Sequence, residues 1–176
     1  MNPAPPLTAA PIEPPAWQRY LVGRHPLRTL RRIALVVVSA VLVFTYVLMP
    51  VRGVGVSMDP TIRPGEFVLV NRLTYRLRAP ARGDIVAVRL AGRRAVYVKR
   101  LVALPGERLA IRGGQMIVNG TRLDEPYVVH RDAWQLPETP LGEDEYFVVG
   151  DNRGMPMALH DMGTTSHARL LGTVIF

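Results

Sequence analysis

The hydrophobic and polar positions divide this chain into two parts that meet near residue 50. Residues 33–49 (IALVVVSAVLVFTYVLM) carry no charge. A helix of this length spans roughly 25 Å, which is the short end of what a bilayer core requires. A buried helix of a soluble protein and a cleaved signal peptide are the alternatives. The arginines before the run and the lack of a small-x-small cleavage pattern after it favour a single transmembrane helix.

The segments before this span predict how the protein lies in a membrane. Residues 1–16 contain six prolines and predict a disordered cytoplasmic tail. Residues 17–32 are basic with interspersed Trp, Tyr and Leu, which is typical of a segment lying on anionic lipid headgroups. Five arginines precede the span and only Arg52 follows it closely. This asymmetry predicts a single-pass protein of the cytoplasmic (inner) membrane, with residues 50–176 on the periplasmic or extracytoplasmic side.

After residue 50 the pattern changes to short apolar runs separated by Pro-Gly, Arg-Gly and Asn-Gly pairs, which indicates β structure. Residues 109–120 read as a hairpin with a Gly-Gly turn followed by an Asn-Gly turn. No helical periodicity is evident in this part. We therefore predict a mainly β, antiparallel, barrel-like domain with a hairpin excursion over residues 106–141. Further strands are expected at residues 66–71, 84–89, 96–102, 145–150 and 170–176.

Composition removes several classes of function. The chain has no cysteine, so disulfides and thiol catalysis are excluded, and its four histidines lack metal-ligand spacing. The net charge of +8 suggests an anionic partner, but the arginines do not form one patch with interleaved aromatic residues. A nucleic-acid partner, a metal and a cofactor are therefore not expected.

The scarcity of lysine and serine points to a candidate site. Lys99 is the only lysine beside 21 arginines, and Ser57 is one of three serines. Arg stays protonated in proteins, whereas a Lys in an apolar strand can lose its proton and serve as a base. Ser57 and Lys99 are therefore candidates for a nucleophile and its base. The alternative for Lys99 is an exposed lysine on a strand.

The surrounding motifs resemble those of the bacterial type I signal peptidases, which are membrane-anchored serine proteases that cut signal peptides from exported proteins. The resemblance covers residues 53–176 and rests on several blocks in the same order, of which any one alone would be weak. The blocks are SMDPT at 57–61, RPGE at 63–66, RGDIV at 82–86, YVKRLV at 97–102, LPGE at 104–107, NG at 119–120, EPY at 125–127 and YFVVGDNR at 146–153.

The resemblance implies a role for each matching residue. Ser57 would form an acyl-enzyme, Lys99 would act as general base, and the Ser57 amide would supply part of the oxyanion hole. The implied partners are signal-peptide-bearing preproteins and the lipid bilayer; other membrane-complex subunits are expected as partners under the alternative of an assembly subunit, given below. Residues that would bind substrate or support the motifs are Gly55, Met58, Pro60, Tyr97, Arg100, Gly150, Asp151, Asn152 and Arg153.

One segment departs from the family pattern and leaves two interpretations open. The serine whose hydroxyl orients the lysine in the family corresponds here to Pro156, and a paired acid and base correspond to Ala158 and His160. A hydroxyl from residues 164–166 could substitute. The first interpretation is an active peptidase. The second is a catalytically weak or inactive subunit of a membrane assembly, in which the apolar residues 155–159 contact a partner.

Overall fold

The structure is a computed structural model that describes residues 26–90 and 95–175. It divides into two compact units, Met1–Leu42 and Val43–Phe176. The predicted tail at residues 1–16 and most of the predicted interfacial segment at 17–32 lie outside the described residues.

The first unit contains helix α1, Pro26–Leu42, and the second opens with a π-helical segment, Val43–Val47. Together they give a stretch, Leu27–Val47, whose 21 residues and mean hydropathy of 2.0 suffice to cross a membrane by length and composition. The helix begins before the apolar span because Arg and Leu are good helix formers and Pro is tolerated in a first turn. Helical structure stops before residue 49, since Pro50 favours an extended backbone in the residue before it.

The second unit contains a seven-stranded antiparallel sheet in the order β1-β2-β11-β3-β4-β9-β10. Among the described residues no pairing joins the two edge strands, so the sheet is open and no closed barrel forms. The predicted mainly antiparallel β fold after an apolar helix is confirmed. Its strands are β1 Leu48–Arg52, β2 Phe67–Asn71, β3 Ile85–Val88, β4 Tyr97–Ala103, β9 Tyr146–Val149, β10 Gly163–Thr165 and β11 Leu170–Ile175.

The predicted hairpin excursion is a four-stranded sheet in the order β7-β6-β5-β8. Asn119 and Gly120 have φ of 51° and 77° in the tight turn that the Asn-Gly pair predicts. The single helical turn α2, Thr74–Leu77, is too short to give a periodic signal. The strands are β5 Arg108–Arg112, β6 Gln115–Val118, β7 Thr121–Arg122 and β8 Leu136–Pro140.

Strand β4 lies inside the larger sheet and contributes to the core on both faces. Leu101 packs with Val86 and Val148 in one cluster, whereas Val102 packs with Ile111 of the smaller sheet in another. All five side chains are at most 1% exposed. A residue in the middle of this strand is therefore removed from water whatever its polarity, and position 99 is such a residue.

Candidate active site

Ser57 and Lys99 meet although they lie on different elements. Lys99 Nζ donates a hydrogen bond to Ser57 Oγ at 2.8 Å. Ser57 is the first residue of the turn that follows β1. A 3.0 Å hydrogen bond from the Ile62 backbone N–H to the Met58 carbonyl closes this turn. Met58 and Ile62 are each 3% exposed and pack against Val68 of β2. This apolar contact fixes the turn, so the serine hydroxyl faces β4.

Burial changes the acidity of Lys99. The side chain is 1% exposed, and among the described residues the Ser57 hydroxyl is its only hydrogen-bond partner. Burial lowers the pKa of Lys99 to about 8, against the opposing influence of the carboxylates of Asp161 and Asp151. Half of the molecules therefore carry a neutral amine near pH 8, a form that can accept a proton from the serine. The Lys99 interpretation as an exposed strand residue does not fit this burial.

The loop after β9 holds the nucleophile turn at close range. A Cβ atom at Gly150 would lie 2.0 Å from the Ser57 carbonyl oxygen, so any other residue here would displace the turn. The Asn152 amide donates to that same carbonyl at 3.0 Å, and Asn152 Nδ2 donates to the Val56 carbonyl at 3.0 Å. Gly150 and Asn152 thus position the backbone on both sides of the serine.

A buried ion pair joins the lysine strand to the nucleophile turn. Arg100 donates to the Asp151 carboxylate through Nε at 2.8 Å and Nη2 at 2.7 Å. Thr61 Oγ1 donates to the same carboxylate at 2.5 Å. Arg100 also lies 3.7 Å above the ring centre of Tyr127, from the excursion. The paired hydrogen bonds of the Arg100 guanidinium therefore fix β4, the nucleophile turn and the loop after β9 relative to one another.

A second ion pair supports this loop from within the protein. Arg153 Nη2 donates to Glu125 Oε1 at 2.6 Å, and both side chains are completely buried. Arg153 Nε donates to the Gly150 carbonyl at 2.7 Å, and Tyr127 donates to Glu125 at 3.0 Å. Arg153 therefore supports the loop without facing the serine.

A cleft of about 490 Å³ opens on the Ser57–Lys99 pair. Of the residues predicted to bind substrate or support the motifs, Gly55, Met58 and Tyr97 line it. Pro60 is exposed in the turn and is not part of the lining, while Arg100, Gly150, Asp151, Asn152 and Arg153 lie behind it. The rest of the lining consists of residues 51–54, Val56, Ile62, residues 95–96, Val98, Met155, Leu159 and Asp161.

The segment that differs from the family pattern, around Pro156 and His160, borders one end of this cleft. Pro156 is exposed and precedes a 3₁₀ turn, Met157–Leu159. The His160 ring is buried edge-on against Trp134 at 4.9 Å. Among the described residues neither ring nitrogen makes a hydrogen bond of normal geometry, although the Asp161 backbone lies near the ring. Burial, followed by the charges of Lys99 and Arg153, lowers the pKa of His160 to about 4, so the ring is neutral at physiological pH.

The substitute hydroxyl considered at residues 164–166 does not reach the lysine. Thr165 Oγ1 donates to the Arg89 carbonyl at 3.4 Å, and Ser166 and Thr164 line a separate cavity. Among the described residues that line the cleft, Asp161 is the one carboxylate. Sequence reasoning missed it because no motif includes it. It also missed the contact of Thr61 with Asp151, although Thr61 is part of the nucleophile block. No cluster of His, Asp and Glu suited to a metal ion occurs among residues 26–90 and 95–175.

Comparison with known proteins places this architecture in a family. Residues 27–176 match the family model described as "Signal peptidase, peptidase S26". Signal peptidase I S of Bacillus subtilis is 32% identical over 158 residues, which cover 83% of this chain and 85% of that protein. Signal peptidase I of Bacillus amyloliquefaciens is 31% identical over 157 residues, covering 83% and 84%.

Two further matches cover less of one chain or the other. A probable signal peptidase I-2 of Synechocystis is 33% identical over 122 residues, which cover 66% of this chain and 56% of that protein. A crystal structure of a signal peptidase I from Enterococcus faecalis aligns with a TM-score of 0.47 at 26% identity, over 56% of this chain and 98% of that one. On the family match and the Bacillus relatives, this chain belongs to the type I signal peptidase family of serine proteases.

Proposed function

We propose that this protein is a membrane-anchored serine endopeptidase that removes signal peptides from exported proteins through a Ser-Lys dyad. The observation that carries the proposal is the 2.8 Å contact between Ser57 Oγ and the Nζ of a lysine that is 1% exposed. A serine hydroxyl requires a base, and burial supplies one by favouring the neutral amine of Lys99.

The proposed reaction has two balanced halves. The neutral Lys99 amine takes the Ser57 proton as Oγ bonds to the scissile carbonyl carbon, and the Ser57 backbone N–H donates to the oxyanion. The C–N bond then breaks as Lys99 returns the proton to the leaving amine, which leaves an ester on Ser57. A water molecule gives a proton to Lys99 and attacks this ester, and the proton then passes back to Ser57 as the new carboxyl end departs.

Substrate binding is proposed along two stretches of chain that border the cleft, residues 54–56 and 95–98. Val54 is 88% exposed and Gly55 has open space where a Cβ would lie, so an extended peptide can approach this backbone. Peptide strands added in this way gain affinity from backbone hydrogen bonds and specificity from side-chain pockets. An apolar helix before the domain would hold the cleft at the membrane, where the apolar segment of a signal peptide arrives.

The proposed function is tested by incubating the detergent-purified full chain with a signal-peptide-bearing preprotein and sequencing the N-terminus of the product. We expect cleavage after a small residue, and none with Ser57→Ala. Folded wild-type protein that cleaves none of several preproteins would contradict the proposal. That result would favour the non-catalytic subunit of a membrane assembly, for which the exposed Leu159 beside the cleft offers a contact.

The pKa of Lys99 predicts the pH dependence of the reaction. Its pKa is lowered to about 8, so the active neutral form is lost as the pH falls below this value. We expect kcat/KM to fall about tenfold for each pH unit below about 7.5 and to level off above about 9. The measurement is kcat/KM between pH 6 and pH 10 at constant ionic strength. A flat profile over this range would contradict a lysine base.

A further inference from the structure

The 3₁₀ segment beside the cleft turns some of its side chains into the protein and others toward the cleft. Met157 packs against the core cluster that joins the two sheets, and the His160 ring lies edge-on against Trp134 at 4.9 Å. The Trp134 indole N–H also donates to the Met155 carbonyl at 2.7 Å. These contacts fix the segment at both ends. Its two other large side chains, Met155 and Leu159, line the cleft.

Leu159 is a large apolar side chain that the fold leaves in water inside a concave surface. It is 71% exposed and lines the same cleft as Ser57 and Lys99. Val54 and Val56 line this cleft as well and are 88% and 46% exposed. Single exposed apolar residues are ordinary on a protein surface, whereas several that converge on one cleft are typical of a binding site.

The composition of the lining indicates what kind of side chain fits beside Leu159. Among the described residues that line the cleft, only Arg52, Lys99 and Asp161 carry a charge. The side chains of Met155 and Leu159 offer no N–H or O–H donor. A polar group placed against them would lose water without gaining a hydrogen bond, whereas an apolar group would gain by leaving water.

The occupant of this apolar wall follows from its continuity with the Ser57–Lys99 pair. Ser57 has to reach the scissile carbonyl, so a bound preprotein runs through the cleft that Leu159 borders. An extended chain advances about 3.3 Å per residue and turns alternate side chains to the same side. One side chain of the preprotein, within a few residues of the cut, is therefore expected to lie against the wall.

We propose that Met155 and Leu159 form a subsite that binds one large apolar side chain of the preprotein. This inference rests on the proposed function and deepens it, because it adds an apolar preference at a second position to the expected cut after a small residue. The preference arises from the removal of apolar surface from water on both partners. Both residues belong to the segment that differs from the family pattern, so the preference would be a property of this chain.

The test measures cleavage of a preprotein series by the detergent-purified full chain. In this series one residue at a time, from six before the cut to four after it, is either Leu or Ser. We expect kcat/KM to be about tenfold higher with Leu than with Ser at one of these positions. Leu159→Ser is expected to reduce this ratio to within about twofold of unity. Leu159→Met, which restores an apolar side chain, is expected to retain it.

The matched control is Leu77→Ser, which makes the same substitution on α2. Leu77 is 82% exposed and is not part of the cleft lining, so the ratio is expected to equal that of wild type. An equal ratio in Leu159→Ser and in wild type would overturn the inference. If the wild-type protein still cleaves and its cleavage depends on Ser57, the proposed function stands in that case.

Peptide binding tests the subsite without catalysis. Fluorescence anisotropy of labelled peptides from the same series measures their Kd for the Ser57→Ala protein. We expect a Kd about tenfold lower for the preferred Leu peptide than for its Ser counterpart, and no such difference when Leu159→Ser is added. That result supports the subsite even if the wild-type protein is inactive. Equal affinities for the two peptides would overturn it, and loss of a co-purifying protein from Leu159→Ser would then assign Leu159 to an assembly contact.

Discussion

Lys99→Met is expected to lower kcat for preprotein cleavage by about 10³-fold or more, with little change in folding. Methionine has nearly the length of lysine and suits a site that is 1% exposed, but it cannot accept the Ser57 proton. General-base catalysis contributes about 10²- to 10⁴-fold, and here it also activates the nucleophile. Single-turnover cleavage of a preprotein measures the effect, and the thermal unfolding midpoint reports whether the variant is folded.

The matched control for this substitution is Arg112→Met, which removes one positive charge at an exposed end of β5. It is expected to cleave within twofold of wild type. Lys99→Arg keeps the positive charge but not the ability to lose a proton, so it is expected to be as inactive as Lys99→Met. Full activity in either Lys99 variant would contradict the dyad, whereas loss in Arg112→Met as well would indicate a general effect of charge.

Glu125→Leu is expected to lower the free energy of unfolding by about 3–5 kcal/mol, because it leaves the buried Arg153 guanidinium without its counter-charge. Both side chains are completely buried, and the pair is 2.6 Å long. Activity should fall with stability, since Arg153 also holds the Gly150 carbonyl against which the nucleophile turn packs. Chemical denaturation of the detergent-solubilised chain, followed by tryptophan fluorescence, measures the change.

Two further variants show whether the loss of stability comes from the unpaired, buried charge of Arg153 or from the loss of a contact. Glu138→Leu removes the carboxylate of the exposed Arg108–Glu138 pair and is expected to cost less than about 1 kcal/mol. Glu125→Leu combined with Arg153→Met replaces both buried charges by apolar groups, and it should recover at least half of the lost stability. No recovery in the double variant would mean that the hydrogen bond from Arg153 to Gly150, and not the stranded charge, dominates the loss.

Most strands could be predicted from local patterns, and the exceptions have identifiable causes. The strands around Lys99 and at residues 145–150 follow from apolar runs between turn residues, and the Asn119–Gly120 turn follows from backbone preference. Strand β1 was missed because its first residues continue an apolar run that reads as helix, and pairing with β2 decides otherwise. Strand β8 contains two prolines and an exposed face, so only its pairing with β5 makes it a strand.

By itself the sequence determined which side chains could perform chemistry, because the scarcity of lysine and serine and the ordered motif blocks are properties of residue type and spacing. Only the tertiary structure decided that Lys99 is buried and in contact with a serine 42 residues away. Burial depends on which strands flank β4, and no local pattern encodes that order. A motif can name a base, but the packing around it decides its pKa and its orientation.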